Sequence, residues 1–154
     1  MSNSPPTLTE KPKAYTFSCH CARIRFSIRI DPSAAKPSKC NCSICLKSGR
    51  ISIPANKDED FTLLSPSSMD EVPKHQFGQN RQNHCFCRVC GVFCFAYGRV
   101  EIQGKGVDLF SFNALTLEPG QDWDLRGLKL EYWDGRRDAF AEGPKEEPGE
   151  GGVW

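Results

Sequence analysis

The sequence lacks any hydrophobic run long enough to predict a membrane-spanning helix. Its opening segment, residues 1–13, is polar and has no apolar stretch of the kind that a secretory signal needs. Neither sign of charge dominates, since 20 Lys and Arg face 19 Asp and Glu, for a formal net charge of +1. This balance argues against a nucleic-acid partner. We expect a cytosolic protein, with the nucleus as the alternative compartment.

Cysteine is the residue that the sequence has in excess, with nine in 154 positions. A disulfide framework would require an oxidising compartment. An odd number of cysteines also cannot pair completely, and a bond within Cys-x-Cys would have poor geometry. The spacing instead indicates thiolate metal sites. The cysteines form three clusters, with Cys94 just beyond the last: Cys19 and Cys21; Cys40, Cys42 and Cys45; Cys85, Cys87 and Cys90.

These clusters contain more sulfur than one zinc ion can use. A Cys-x-Cys and a Cys-x-x-Cys from distant segments supply four thiolates, which is the ligand set of a closed structural zinc site. The four are Cys19, Cys21, Cys87 and Cys90. The middle cluster is left with three ligands, and an open fourth position is typical of a catalytic zinc ion. The three are Cys40, Cys42 and Cys45. We therefore predict two zinc ions, one structural and one catalytic.

Two alternatives to this assignment stay open at the level of sequence. Cys85 or Cys94 could replace a neighbour as a ligand, although an unpaired cysteine more often packs as a small apolar side chain. The middle cluster could also be closed by a fourth ligand from His75, His84 or Cys85. The lack of a second well-spaced partner favours the open site.

Short β-strands are predicted along most of the chain, and long helical periodicity is absent. Apolar side chains alternate with Arg and Ser over residues 22–30, which indicates a half-buried strand. Cys19 and Cys21 would share one face of a strand. Residues 31–38 are predicted to form a loop. The middle cluster follows this segment, so we expect it to lie on a loop as well. The other predicted elements are a helical turn within 66–73 and strands at 51–53, 61–64, 92–97, 107–112 and 128–133.

The chain length fits one domain, with a modest core that bound metal would reinforce. We expect a flexible leader over residues 1–13 and a zinc-binding domain over residues 14–140. Residues 141–154 are rich in Gly, Pro and Glu, a composition that cannot repay the entropy of ordering. We therefore expect a flexible acidic tail, in which Trp154 could dock against the domain.

Three strings of the sequence resemble a known family in content and in order: SCHC at 18–21, CNCSIC at 40–45 and FCRVCG at 86–91. Weaker likeness continues through FTLL at 61–64 and YWDG at 132–135. Together these strings resemble the glutathione-dependent formaldehyde-activating enzyme family, also called the centromere protein V family. The resemblance covers about residues 14–137.

The resemblance implies a mainly β fold of short antiparallel strands, a small zinc-stapled and Mss-four-like β-tent. It implies a structural zinc on the four-cysteine site and a catalytic zinc on the middle cluster, where glutathione is the co-substrate and formaldehyde the acceptor. The implied activity is that of a carbon-sulfur lyase, similar to S-(hydroxymethyl)glutathione synthase, with a small-molecule thiol and a carbonyl compound as partners. Lys47 and Arg50 follow the middle cluster and are candidates for pairing with glutathione carboxylates.

Two other functions fit the same motifs. Relatives in secondary metabolism imply zinc enzymes that isomerise or eliminate larger carbonyl compounds, and the centromere branch implies a non-catalytic zinc-binding scaffold. A chromatin-associated scaffold would need a basic patch or tail. The only basic concentrations are on one strand face, at Arg23, Arg25 and Arg29, and scattered later, at Arg81, Arg88 and Arg99, while the tail is acidic. That absence favours the enzyme. The sequence leaves a homo-oligomer open.

Overall fold

Short strands and two short helices make up the fold in a computed structural model that describes residues 11–152. The mainly β architecture predicted from the sequence is confirmed. The helices are α1 (Ser43–Ser48) and α2 (Lys57–Asp60). The strands are β1 (Lys13–Ser18), β2 (Arg25–Ile30), β3 (Ser38–Cys40), β4 (Ser52–Pro54), β5 (Phe61–Ser65), β6 (Lys74–His75), β7 (Gln82–Phe86), β8 (Phe93–Ile102), β9 (Lys105–Asn113) and β10 (Glu131–Trp133).

The strands form two sheets. The smaller has the order β1-β2-β5 and is antiparallel throughout. The larger has the order β10-β3-β4-β9-β8-β7-β6, and all of its pairings are antiparallel except that of β10 with β3. This one parallel pairing joins segments that are far apart in sequence, because Trp133 is the partner of Cys40. It brings the chain near residue 133 to the middle cysteine cluster.

Aromatic side chains from both sheets form the centre of the core. Phe17 stacks on Phe26 with ring centroids 5.2 Å apart, and its edge contacts Phe112 at 4.9 Å. Phe26 in turn meets Phe95 at 5.2 Å, edge to face. All four rings are fully buried. Such pairs add directional contacts to the burial of apolar area, so they fix the two sheets against each other.

Cys85 and Cys94 are also fully buried in this core. Neither belongs to a group of side chains that could hold a metal ion among residues 11–152. Burial raises the pKa of Cys85 to about 12 and also raises the pKa of Cys94, so each stays a neutral thiol. The prediction that they pack as small apolar side chains is confirmed.

The first predicted strand was placed too early. The strand over residues 22–30 begins only at Arg25, because Ala22 has a left-handed backbone with φ 60° and lies in the turn between β1 and β2. Cys19 and Cys21 therefore lie in a turn, and the prediction that they share a strand face was wrong. The prediction that the middle cluster lies on a loop was also wrong, since its residues span the end of β3 and the start of α1.

The later strand predictions agree better with the structure. Four of the predicted segments correspond to β4, β5, the first part of β8 and most of β9, and the helical turn lies at Met69–Glu71. The segment 128–133 was too long, because the chain forms a tight turn at Leu125–Gly127 and only Glu131–Trp133 pairs with β3.

The two ends of the chain were predicted to be flexible, and that stays a prediction. Residues 1–10 and Trp154 lie outside the described residues. Within the tail, Lys145 exchanges two backbone hydrogen bonds of 2.8 Å with Tyr132, next to the middle cluster. Among residues 11–152, no helix has both the length and the apolar character needed to cross a membrane.

Candidate metal centres

The four-cysteine group joins two turns that are distant in sequence. Cys19 and Cys21 come from the β1–β2 turn, and Cys87 and Cys90 come from the turn between β7 and β8. The Sγ atoms of Cys19 and Cys21 lie 3.7 Å apart, and those of Cys21 and Cys87 lie 3.5 Å apart. Sulfur ligands about 2.3 Å from a tetrahedral zinc ion are about 3.8 Å apart. These cysteines are therefore arranged as a tetrahedral zinc site requires.

Backbone hydrogen bonds fix the two turns that carry this group. The Ile24 amide donates a hydrogen bond of 3.3 Å to the Cys19 sulfur, and Gly91, at φ 75°, closes the second turn through a 2.8 Å bond to the Cys87 carbonyl. Burial raises the pKa of Cys19 to about 12, whereas a backbone hydrogen bond at Val92 lowers the pKa of Cys90 to about 6. Because the ligating form is the thiolate, Cys19 ionises only with metal present.

The middle group lies where β3 passes into α1. Cys40 ends the strand, Cys42 is the residue before the helix, and Cys45 lies within its first turn. Their sulfur atoms are within 4.8 Å of one another, and the group contains no fourth Cys, His, Asp or Glu from the described part of the chain. The two groups thus differ as the sequence predicted, with four thiols in one and three in the other.

The three thiols of the middle group share their hydrogen bonds. The Cys42 amide donates to the Cys40 sulfur at 3.5 Å. Hydrogen bonds with Cys40 and Cys45 lower the pKa of Cys42, while hydrogen bonds with Cys40 and Cys42 raise that of Cys45. The first proton is therefore lost easily from the group and the last one is retained. A bound cation would favour loss of all three.

A buried arginine lies against this group. Arg50 is 7% exposed, and its Nη2 donates a hydrogen bond of 2.8 Å to the Cys45 sulfur. Its Nη1 is 3.3 Å from Nδ1 of His84, and its guanidinium carbon lies 4.3 Å from the centre of the Phe93 ring. Burial and the nearby Arg50 charge lower the pKa of His84 to about 4, so the imidazole is neutral and accepts from the arginine.

Asn41, between two of the cysteines, ties the middle group to the C-terminal part of the chain. Its amide nitrogen donates to Asp134 Oδ1 at 2.9 Å and to the Glu150 carbonyl at 3.0 Å, and its Oδ1 accepts from the Arg136 amide at 2.9 Å. Asp134 is further held by the guanidinium of Arg137 at 2.6 Å, and both partners lower the pKa of its carboxyl. The backbone around Cys40 and Cys42 is therefore fixed from outside the cluster.

A cleft opens beside the middle group. Cys40, Cys45 and Arg50 form its floor. Its walls come from the end of β3, from α1 and the residue after it, from β10 and from the tail. They comprise Lys39, Asn41, Leu46, Gly49, Tyr132, Trp133, Pro148, Gly149 and Gly152. The approach to Cys40 is tight, since a methyl group added at Gly135 would lie 2.5 Å from the Cys40 sulfur.

Comparison with known proteins agrees with this geometry. A family model described as glutathione-dependent formaldehyde-activating enzyme matches residues 14–119. The chain belongs to the glutathione-dependent formaldehyde-activating enzyme family. A crystal structure of a Rhodobacter sphaeroides protein has the same fold, with a TM-score of 0.56 and 23% sequence identity over 76% of this chain and 98% of the other. The resemblance read from the sequence is thereby confirmed.

The family match ends before the cleft residues that β10 and the tail contribute. Tyr132, Trp133 and the tail residues that line the cleft all lie beyond residue 119. Sequence reasoning did not assign Asn41, Asp134 or Gly135 to the site. The YWDG string at 132–135 was the available signal, because it includes the cleft residues and the partner of Asn41.

The structure separates the two candidates for contact with glutathione. Lys47 is exposed in the last turn of α1, where its ammonium group is accessible. Arg50 lies at the cleft floor with its guanidinium turned onto Cys45 and His84. Their roles toward a substrate stay predictions.

Proposed function

We propose that this chain is a zinc-dependent carbon-sulfur lyase that forms or breaks the adduct between a small thiol and a carbonyl compound, with glutathione as the thiol. The observation that carries this proposal is the contrast between the two cysteine groups. The four-cysteine group has a complete ligand set, whereas the middle group offers three thiols beside a cleft. Three protein ligands are typical of catalytic zinc sites. A cytosolic location, where glutathione is reduced, suits this chemistry.

The reaction joins the sulfur of the thiol to the carbonyl carbon, and the thiol proton ends on the carbonyl oxygen. The reverse reaction breaks the same carbon-sulfur bond. When bound, a zinc ion with an open position supplies a Lewis acid that acidifies a coordinating thiol and polarises a carbonyl group. Cys40, Cys42 and Cys45 would hold it, because their sulfurs lie within 4.8 Å of one another and two of them, Cys40 and Cys45, line the cleft.

The chain's other residues select and orient the substrates. Lys47, exposed near the cleft, is suited to pair with a carboxylate of glutathione. Leu46, Tyr132, Trp133 and Pro148 give the cleft apolar walls. The acceptor is formaldehyde or a larger carbonyl compound.

The test is the rate of S-(hydroxymethyl)glutathione formation and breakdown, measured by exchange NMR on glutathione and formaldehyde. The uncatalysed rate must be subtracted, because the adduct also forms spontaneously. We expect wild-type protein to raise the exchange rate and Cys42→Ser to return it to the background. Cys85→Ala is the matched control, since Cys85 is a buried core residue outside both groups, and it should keep the wild-type rate. Larger aldehydes are then compared in the same assay. Background rates with the zinc-loaded wild type for every carbonyl tried would refute the proposal.

A further inference from the structure

Arg50 is a buried cation without a carboxylate partner. The ion pairs formed within residues 11–152 do not include it, although its side chain is almost fully enclosed. A guanidinium group cannot lose its proton in a protein. A buried charge left uncompensated is strongly destabilising. The position of Arg50 therefore requires a negative charge nearby.

The contacts of Arg50 leave one source for that charge. His84 accepts a hydrogen bond as a neutral imidazole, and Phe93 offers only the face of its ring. The remaining contact is the Cys45 sulfur, 2.8 Å from Nη2. Three thiolates around one divalent zinc ion carry a formal charge of −1, which is equal and opposite to that of the arginine.

We propose that Arg50 is the counter-cation of the middle cysteine group, a positioning residue that orients the Cys45 sulfur and balances the charge of the metal-loaded site. This proposal rests on the proposed function and deepens it. A thiol that enters as its thiolate adds one more negative charge to the site. With Arg50 included, entry of that thiolate takes the formal charge of the site from neutral to −1, whereas without Arg50 it would go from −1 to −2, so Arg50 makes entry of an anionic sulfur ligand easier.

The first test measures zinc affinity by competition with a chromophoric chelator. The four-cysteine group serves as an internal reference in every variant. We expect R50M to weaken binding at the middle group by about 10- to 100-fold, the usual effect of removing a residue that supports a metal ligand. R50K keeps a charge without the planar fork and should weaken it less. The matched control is R88M, which removes an exposed arginine from between Cys87 and Cys90 and should change neither site. An R50M protein that binds both zinc ions within twofold of wild type overturns the proposal.

A second test separates charge balance from simple packing. C45S removes the anionic partner, so Arg50 is left without compensation in that background. We expect R50M to lower the urea midpoint of the wild type but to raise or leave unchanged the midpoint of C45S. A role in packing alone would lower both midpoints equally. A C45S/R50M double variant that is less stable than C45S, or that fails to fold where C45S folds, overturns the proposal.

Failure of the proposed lyase function would give different results from failure of the Arg50 proposal. Wild-type protein that binds two zinc ions but catalyses no thiol addition contradicts the lyase proposal and leaves both Arg50 tests valid. The binding step is followed separately with cobalt(II) in place of zinc, through the sulfur-to-metal absorption bands and their change on titration with glutathione. Here R50M should weaken the glutathione response relative to R88M, and equal responses would count against Arg50 as a counter-cation.

Discussion

Loss of one cysteine should affect folding differently in the two cysteine groups. Cys87 is buried, and its group links segments 66 residues apart through the Cys21–Cys87 contact. Cys42 is half-buried, and its group links only the neighbouring residues 40–45. We predict that Cys87→Ser abolishes folding, whereas Cys42→Ser gives a folded protein that has lost one zinc ion.

The magnitudes support this difference. A structural zinc ion contributes about 10–16 kcal/mol of apparent folding free energy in small zinc domains, and a typical domain is stable by only about 5–15 kcal/mol. Loss of the four-cysteine site therefore removes most or all of the stability of this chain. Cys42→Ser leaves that site and the aromatic core intact. Its cost should be much smaller than that of Cys87→Ser, because the ion it loses links only neighbouring residues.

The assay combines far-UV circular dichroism, urea unfolding and elemental analysis of zinc. We expect about one zinc ion per chain and a cooperative urea transition for Cys42→Ser, and an unfolded spectrum without a transition for Cys87→Ser. Cys85→Ala is again the control and should retain about two zinc ions. Equal stability of the Cys42 and Cys87 variants would refute the division into a structural and an open site.

Three further predictions concern the surroundings of the middle group. Gly135→Ala would place a methyl carbon 2.5 Å from the Cys40 sulfur, so it should release zinc from the middle group. Gly127→Ala is the control, because a methyl carbon there has no neighbouring atom within 4 Å and should leave the zinc bound. Equal zinc contents of the two variants would contradict this. A chain ending at Gly143 removes the tail wall of the cleft, the Glu150 bond to Asn41 and the two backbone bonds between Lys145 and Tyr132. It should stay folded, because each such bond contributes about 1 kcal/mol and the aromatic core and the four-cysteine group are kept. It should react faster with bulky thiols than the full chain, and unchanged rates would contradict this. His84 should titrate by NMR near pH 4, whereas in the unfolded state it binds its proton near pH 6.5. The free energy of unfolding should therefore decrease by up to about 3 kcal/mol as pH falls from about 6.5 to about 4. An NMR midpoint near 6.5 would contradict this.

The alternation of side chains predicted the strands but not their ends. Ile24, Phe26 and Ile28 are all buried, as the pattern over residues 22–30 indicated. The strand nevertheless starts later, because Ala22 has a positive φ that no alternation can reveal. α1 was missed because six residues are too few to show helical periodicity, although Gly49 at φ 63° is a common helix end.

The grouping of the cysteines could be predicted because the spacing of cysteines reflects the geometry of metal sites. The surroundings of the middle group could not, because they depend on pairings between distant segments. Trp133 reaches Cys40 only through the parallel pairing of β10 with β3, which has no local signal. The burial of Arg50 has no local signal either, because it depends on His84 of β7 and Phe93 of β8.

The most direct test of the account is zinc X-ray absorption spectroscopy on the two-zinc protein, before and after addition of glutathione. Four sulfurs at one site and three at the other predict an average of about 3.5 sulfur neighbours per zinc, with the remainder oxygen or nitrogen. Glutathione should raise this average to about 4 by filling the open position. An average of 4 in the absence of any added thiol, or a value that glutathione does not change, would contradict the claim that the middle group is an open thiol-binding site.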